Sequence, residues 1–189
     1  MKKIRFATSR DIPTICTIYE YYVNNSVATF AYEAMNEKEW EEKLTTIQNK
    51  YPFLVCELDG EVVAYAYASS FREREAYQWD VELSVYVHPN VVRQQIGSSL
   101  MKVLLALLKL QNYHIAYSCI TIPNDASISL HEKLGFQTIG VFKECGYKFD
   151  RWLSTAWMEY VLSNSPQPRD ILTIAQCNQE TIQQLLSQV

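Results

Sequence analysis

The chain has 189 residues, 48% hydrophobic and 20% charged, enough apolar material for a packed domain and too much for wholesale disorder. Lys and Arg number 17 against 21 Asp and Glu, a formal net charge of −4. That balance speaks against a nucleic-acid partner, because neutralising phosphates needs clustered excess cations. No run of residues approaches the ~20 consecutive apolar positions of a membrane span, so no membrane partner is expected either.

The opening Lys2-Lys3-Ile4-Arg5 is not followed by the apolar run of a secretory leader. The five cysteines, Cys16, Cys56, Cys119, Cys145 and Cys177, are scattered, odd in number and form no CxxC pair. A disulfide framework or zinc site is not expected, and a cytoplasmic location is.

Ile4–Ala7 reads as a first strand, and Ile12, Ile15, Ile18, Tyr19 and Tyr22 follow at helical spacing. Residues 37–49 form a second helical stretch with Trp40, Leu44 and Ile47 on one side. The runs 53–58 and 62–68 flank Asp59-Gly60, which predicts an antiparallel hairpin. Val81–Val87 is a further strand, closed by His88-Pro89. Ile96, Leu100, Val103, Leu104, Leu107 and Leu108 then mark an amphipathic helix. Ile115–Ile122 reads as a strand, and Asn124 caps a helix that exits at Gly135. Phe136–Phe142 and Trp152–Leu162 complete the strands. This order predicts an α/β fold: one mixed sheet with helices on its faces. Residues 163–169 read as a linker, so the expected organisation is a domain over 1–162 with a linker and extension of unassigned role over 163–189.

The strand–turn–helix junction from Val81 through Gln94, Gln95, Ile96, Gly97, Ser98 and Ser99 is the most informative unit. Such a junction aims free helix N–H groups and the positive dipole end at one point, which suits a phosphate. Alternatively Gly97 relieves helix–strand crowding and the serines face water.

Residues 81–89, Ile96-Gly97 and 124–136 resemble the GNAT superfamily of acetyl-CoA-dependent N-acetyltransferases. Residues 26–30, 71–77 and 146–152 resemble, more narrowly, its phosphinothricin acetyltransferase branch. The resemblance covers about residues 3–162. It implies a GNAT-like, largely antiparallel mixed sheet with helices on both faces. It further implies acetyl-CoA as co-substrate, a small-molecule primary amine of amino-acid type as acceptor, and a homodimer; no metal is expected, because no triplet of residues has metal-ligand spacing.

By the same resemblance, backbone groups of Val85 and Val87 pair with the pantetheine arm, Gln94–Ser99 hold the pyrophosphate, and Asn124 and Ser127 lie near the thioester. Glu82 stands where the branch has its general base; its residue-level alternative is a solvated strand carboxylate, or a partner of Arg72 or Arg74. His131 stands where a residue assists thiolate departure as acid or relay; the alternative is a packed core histidine. Thr29, Phe30, Arg72, Arg74, Tyr77 and Lys148 are implied to face the acceptor. His88 and His114 read as structural or exposed.

The chain also departs from the pattern. Val92 replaces the leading polar residue of the pyrophosphate signature, Gln95 its first glycine, and Ser154 a common aspartate after the tryptophan. Weakened cofactor binding is the expectation, Gln95 being tolerable if its φ is helical. The rival from another class is a silent acyl-CoA sensor or interaction module, its partner surface supplied by Ile171, Ile174, Ile182 and Leu185 of the tail.

Overall fold

The computed structural model describes residues 2–91 and 95–187. In chain order the elements are β1 (Lys2–Phe6), α1 (Ile12–Asn25), α2 (Glu37–Gln48), β2 (Phe53–Leu58), β3 (Glu61–Ser70) and β4 (Asp80–Val87). Then come α3 (Ile96–Leu110), β5 (Ile115–Ile122), α4 (Asp125–Leu134), β6 (Gln137–Lys148), β7 (Arg151–Val161) and α5 (Gln179–Ser187).

The strands form one seven-stranded sheet in the order β1-β2-β3-β4-β5-β7-β6. Every neighbouring pair is antiparallel except β4 and β5, which run parallel. Period-two alternation divides the core between the two faces. Phe53, Val55, Tyr65 and Tyr67 pack against Ile15, Ile18, Trp40 and Leu44 of α1 and α2. Leu54, Cys56, Ala64, Ala66, Val81 and Leu83 pack against Leu100, Leu104, Leu107 and Leu108 of α3. The mixed, largely antiparallel sheet covered on both faces is as expected from sequence.

One expectation needs correcting: β6 does not stop at Phe142 but continues to Lys148, with register shifts at Thr138/Gly140 and Phe142/Gly146. The bulged stretch includes Glu144 at φ +48°, and the Ser154 hydroxyl accepts the Glu144 N–H at 3.0 Å. Extra residues on one strand erase the alternation by which a strand is recognised. The tail, an extension of unassigned role in the sequence, docks on the domain and carries α5. Cys177 and Ile182 are buried in the α3 side of the core, and Ile171, Ile174 and Leu185 pack against it. Buried Gln111 donates to the carbonyls of Lys50 and Leu172, both at 2.8 Å, and Trp79 Nε1 donates to the Arg169 carbonyl at 2.8 Å.

Candidate active site

The site arises from incomplete pairing at the centre of the sheet. β4 and β5 pair only through Asp80↔Ile115, Val81↔Ala116 and Glu82↔Tyr117. Beyond that point β4 stays with β3 as far as Val87, and β5 stays with β7 as far as Ile122. A cleft of about 610 Å³ opens between them, lined by Glu82–Val87, Ser118–Thr121, and side chains from α4, β6, β7 and the loop after α1. A hollow of about 730 Å³ lies near the other end of the sheet, between residues 162–169 and the beginnings of β4 and β5. Although larger, it contains none of the expected catalytic side chains, and its Lys109 and Asn112 side chains are bonded to Tyr160 and Asp170.

Strand geometry dictates which main-chain groups face the cleft. His88 N–H donates to Val63 O at 2.7 Å, so the main-chain groups of His88 turn toward β3. By alternation those of Leu83, Val85 and Val87 turn away from β3, into the opening. The Tyr22 hydroxyl of α1 confirms this for Val87, donating to its carbonyl at 2.7 Å. Val85 and Val87, singled out from sequence, therefore present peptide groups where an extended ligand would lie. Tyr22 was not legible from sequence, because nothing local links α1 to the end of β4.

Side chains of β4 sort by parity. Val81, Leu83, Val85 and Val87 pack toward α3. Glu82, Ser84 and Tyr86 occupy the other face, where Tyr86 meets Tyr19, Tyr22 and Tyr65. Burial pushes the Glu82 carboxyl above its ordinary range. A group with that shift holds its proton more tightly than a surface glutamate and suits proton transfer nearer neutrality.

His131 is 3% exposed and lines the same cleft. Its Nδ1 lies 2.8 Å from the Ser127 carbonyl, which only accepts, so Nδ1 carries the proton. Burial lowers the imidazole pKa, opposed in part by that carbonyl. The resting ring is thus neutral with an open lone pair at Nε2, which favours the relay role over that of a resting acid. Asn124 caps α4, its Oδ1 accepting the Ser127 N–H at 3.2 Å, and both residues line the cleft.

At the start of α3, Gln95 has φ +56° and ψ +18° and its side chain makes no cap bond. The helical φ considered from sequence is corrected: the backbone adopts the left-handed conformation that favours glycine. Ser99 N–H bonds to Gln95 O, and the Ser99 hydroxyl accepts from Lys2 Nζ at 2.8 Å, a cation no local motif announces. Ile96 is buried, and Gly97 faces Leu130 and Val87 at ordinary contact distance. Ser98 shares this first turn. Gln94, Val92 and Arg93 lie outside the described residues.

The expected acceptor-facing residues separate into groups. Thr29 and Phe30 line the cleft. Arg72, Arg74 and Tyr77 do not. Arg72 instead lies over the Phe71 and Tyr77 rings at 5.0 and 5.6 Å, and Phe71 stacks on Tyr117 at 4.2 Å. Arg74 is exposed. Lys148 is 2% exposed, with Nζ donating to Ser26 O at 3.0 Å and Thr29 O at 2.8 Å, so its expected direct contact with the acceptor is replaced by bonds within the protein.

Cys119 and Cys145 both line the cleft. Burial raises the Cys119 thiol pKa, opposed by contact with Thr155, so it is no activated thiolate. Ser118 was missed. It is 2% exposed, stands just past the last β4/β5 pair, and its hydroxyl has no partner among the described residues. No group of three or more potential metal ligands occurs among the described residues.

An open parallel junction in an otherwise antiparallel sheet, with peptide groups turned into the gap and a half-buried carboxyl beside it, defines a cleft for an extended acyl carrier. Residues 4–157 match the model of the acetyltransferase (GNAT) domain family, and the chain belongs to that family as an acetyl-CoA-dependent acyltransferase. It is 34% identical over 174 residues to a phosphinothricin N-acetyltransferase of Streptomyces viridochromogenes, covering 92% of this chain and 95% of that one. It is 34% identical over 160 residues to an L-methionine sulfoximine/L-methionine sulfone acetyltransferase of Pseudomonas aeruginosa, covering 82% and 92%. Among solved structures it superposes with TM-score 0.87 on a phosphinothricin acetyltransferase of Sinorhizobium meliloti in complex with acetyl-CoA. That pair shares 33% identity and covers 93% of this chain and 97% of the other.

Proposed function

We propose that the protein transfers acetyl from acetyl-CoA to the primary amine of a small amino acid or close analogue, with Glu82 as the base. The observation that carries this reading is the half-buried Glu82 carboxyl on the wall of the gap toward which the Val85 and Val87 peptide groups turn. The relatives named for phosphinothricin and methionine sulfoximine support the acceptor class.

The residues present fit the cofactor. Val85 and Val87 offer peptide groups to an extended arm, the first turn of α3 (Ile96, Gly97, Ser98, Ser99) offers helix N–H groups to a diphosphate, and Gln95 leads into it. Asn124 and Ser127 flank the cleft at the head of α4. Bound there, acetyl-CoA supplies the acyl group as a thioester. Glu82 takes a proton from the acceptor ammonium, freeing the nitrogen lone pair. The Val87 N–H donates into the cleft, polarising whatever carbonyl meets it. His131, protonated at Nδ1, takes a proton at Nε2 and passes it on toward the departing sulfur. Holding both reactants in one cleft supplies the rest.

Arg72 stands beside the cleft rather than in it, over Phe71, whose ring meets that of the cleft residue Trp157 at 5.9 Å, a placement that suits attracting a carboxylate or phosphinate rather than gripping it. Exposed Ile139, Val141 and Phe142 on edge strand β6, with Phe149 and Trp152, support a homodimer. Five free cysteines support a cytoplasmic setting, and no described helix is long and apolar enough to cross a membrane. The silent sensor loses its proposed partner surface, since the tail's apolar residues pack on α3 and β1.

Release of free thiol from acetyl-CoA, measured against a panel of amino acids and analogues, tests the reading. Amine-dependent release with methionine sulfoximine or phosphinothricin is expected. Cofactor binding without release on any acceptor would overturn it.

A further inference from the structure

Lys148 is a buried ammonium at the end of an edge strand, and both acceptors of its hydrogen bonds are carbonyl oxygens. Those carbonyls belong to Ser26 and Thr29, in the connection between α1 and α2. The same connection carries Thr29 and Phe30 into the cleft. Two neighbours of Lys148 on β6 grip it as well. A Cβ on Gly146 would run into the Phe30 ring, so that ring lies directly on the glycine backbone. The Tyr32 hydroxyl donates to the Tyr147 carbonyl. Within the connection, the Thr29 hydroxyl is engaged with the Tyr19 hydroxyl and the Ala31 N–H. Residues 26–32 are therefore clasped to residues 146–148 by a ring on a glycine, a phenol and an ammonium. Lys148 supplies the only bonds of this clasp to the main chain of Ser26 and Thr29 among those the structure describes.

We propose that Lys148 is a positioning residue: its two bonds to the Ser26 and Thr29 carbonyls hold Thr29 and Phe30 as the acceptor-side wall of the cleft, without touching the acceptor. The inference rests on the N-acetyltransferase reading for its kinetic consequence and on geometry alone for the clasp.

Two measurements on Lys148→Met test it, with Tyr32→Phe beside it because Tyr32 is 69% exposed and its loss spares the core. Limited chymotrypsin digestion of the free protein, read by mass spectrometry, follows cutting after Phe30 and residue 32, with cutting after Tyr77, in the connection between β3 and β4, as internal reference. Lys148→Met should be cut in the connection about tenfold faster than wild type, a loss of one to two charge-assisted bonds, with the reference site unchanged. Its KM for the amine should rise about tenfold, while kcat stays within about threefold and acetyl-CoA affinity within about twofold. Tyr32→Phe should move both readouts the same way by a smaller factor. Unchanged cutting, unchanged amine KM, or equally accelerated cutting at Tyr77 in Lys148→Met overturns the proposal. Should Lys148→Met not fold, Tyr32→Phe decides by the same criteria. Wild-type protein inactive on every amine would sink the acetyltransferase reading instead, leaving the digestion to judge the clasp.

Discussion

Replacing Gln95 by glycine should stabilise the protein and tighten its hold on acetyl-CoA. Gln95 sits at φ +56°, ψ +18° immediately before α3, exposed, and without a side-chain cap bond. The left-handed conformation costs an L-residue about 1–2 kcal/mol, and the substitution forfeits no packed or bonded side chain. Against this relief, glycine adds freedom to the unfolded chain worth about 0.4–1 kcal/mol. The difference is a gain of about 1 kcal/mol or less. At this chain length that raises the melting temperature by up to about 2–4 °C. The same change removes a Cβ from the approach to the first α3 amides, so acetyl-CoA affinity should rise by a few-fold, about 0.5–1 kcal/mol. Calorimetric melting and titration with acetyl-CoA measure both quantities on one preparation. A melting temperature lowered by the substitution would refute the claim of backbone strain. A gain in stability with unchanged affinity would show that this residue does not crowd the cofactor seat.

Glu82→Gln should lower kcat by about 10²–10⁴ while leaving acetyl-CoA affinity unchanged, as titration would show. Burial raises the Glu82 pKa, so the wild-type protein incurs a charge-burial cost as pH rises through the ordinary carboxylate range toward the raised folded value. Glu82→Gln is accordingly expected to melt above wild type at neutral pH, with the advantage gone below about pH 4; a constant difference across pH would refute it. His131 has its pKa lowered by burial, so wild-type stability should fall as pH drops from about 6.5 toward the depressed value. His131→Gln should flatten that slope in a melting series. Ile182→Ala, in a tail residue 1% exposed, should cost about 2–4 kcal/mol by denaturant unfolding, and a neutral result would detach the tail from the core. Ser118→Ala removes a buried hydroxyl without a described partner and should stabilise the free protein by about 1 kcal/mol; destabilisation would reveal a partner for it.

The parts legible in the sequence are those with local periodicity. The apolar run 53–58 beside its Asp59-Gly60 turn, the alternation along residues 81–87 and the 3–4 spacing through α3 located elements to within a residue or two. Glu82 and His131 were legible only through a resemblance, since a strand carboxylate and a helix histidine look the same whether they face water, core or cleft. The second half of β6 was hidden by its bulges. Lys148 was misread for a different reason: charge in a loop-like stretch suggests solvent and ligand, whereas its nearest acceptors come from residues more than a hundred positions earlier. Tyr22 and Lys2 belong to the same category, contacts made by topology rather than by neighbours in sequence.

The cleft itself follows from a competition that no single segment reveals. β4 keeps seven partners on β3 and β5 keeps eight on β7, yet the two share only three with each other. Adjacent strands are rotated by roughly 20–25°, so two strands each committed to an outer antiparallel neighbour diverge once they leave their common start. Main-chain groups stranded by that divergence must find partners elsewhere or face solvent. Val87 meets half of its need through Tyr22, and its N–H is left turned into the gap. A ligand with an extended chain of amides satisfies such groups without requiring any particular side chain. That is why the departures at Val92, Gln95 and Ser154 bear on affinity and acceptor preference more than on whether a cofactor arm can lie there.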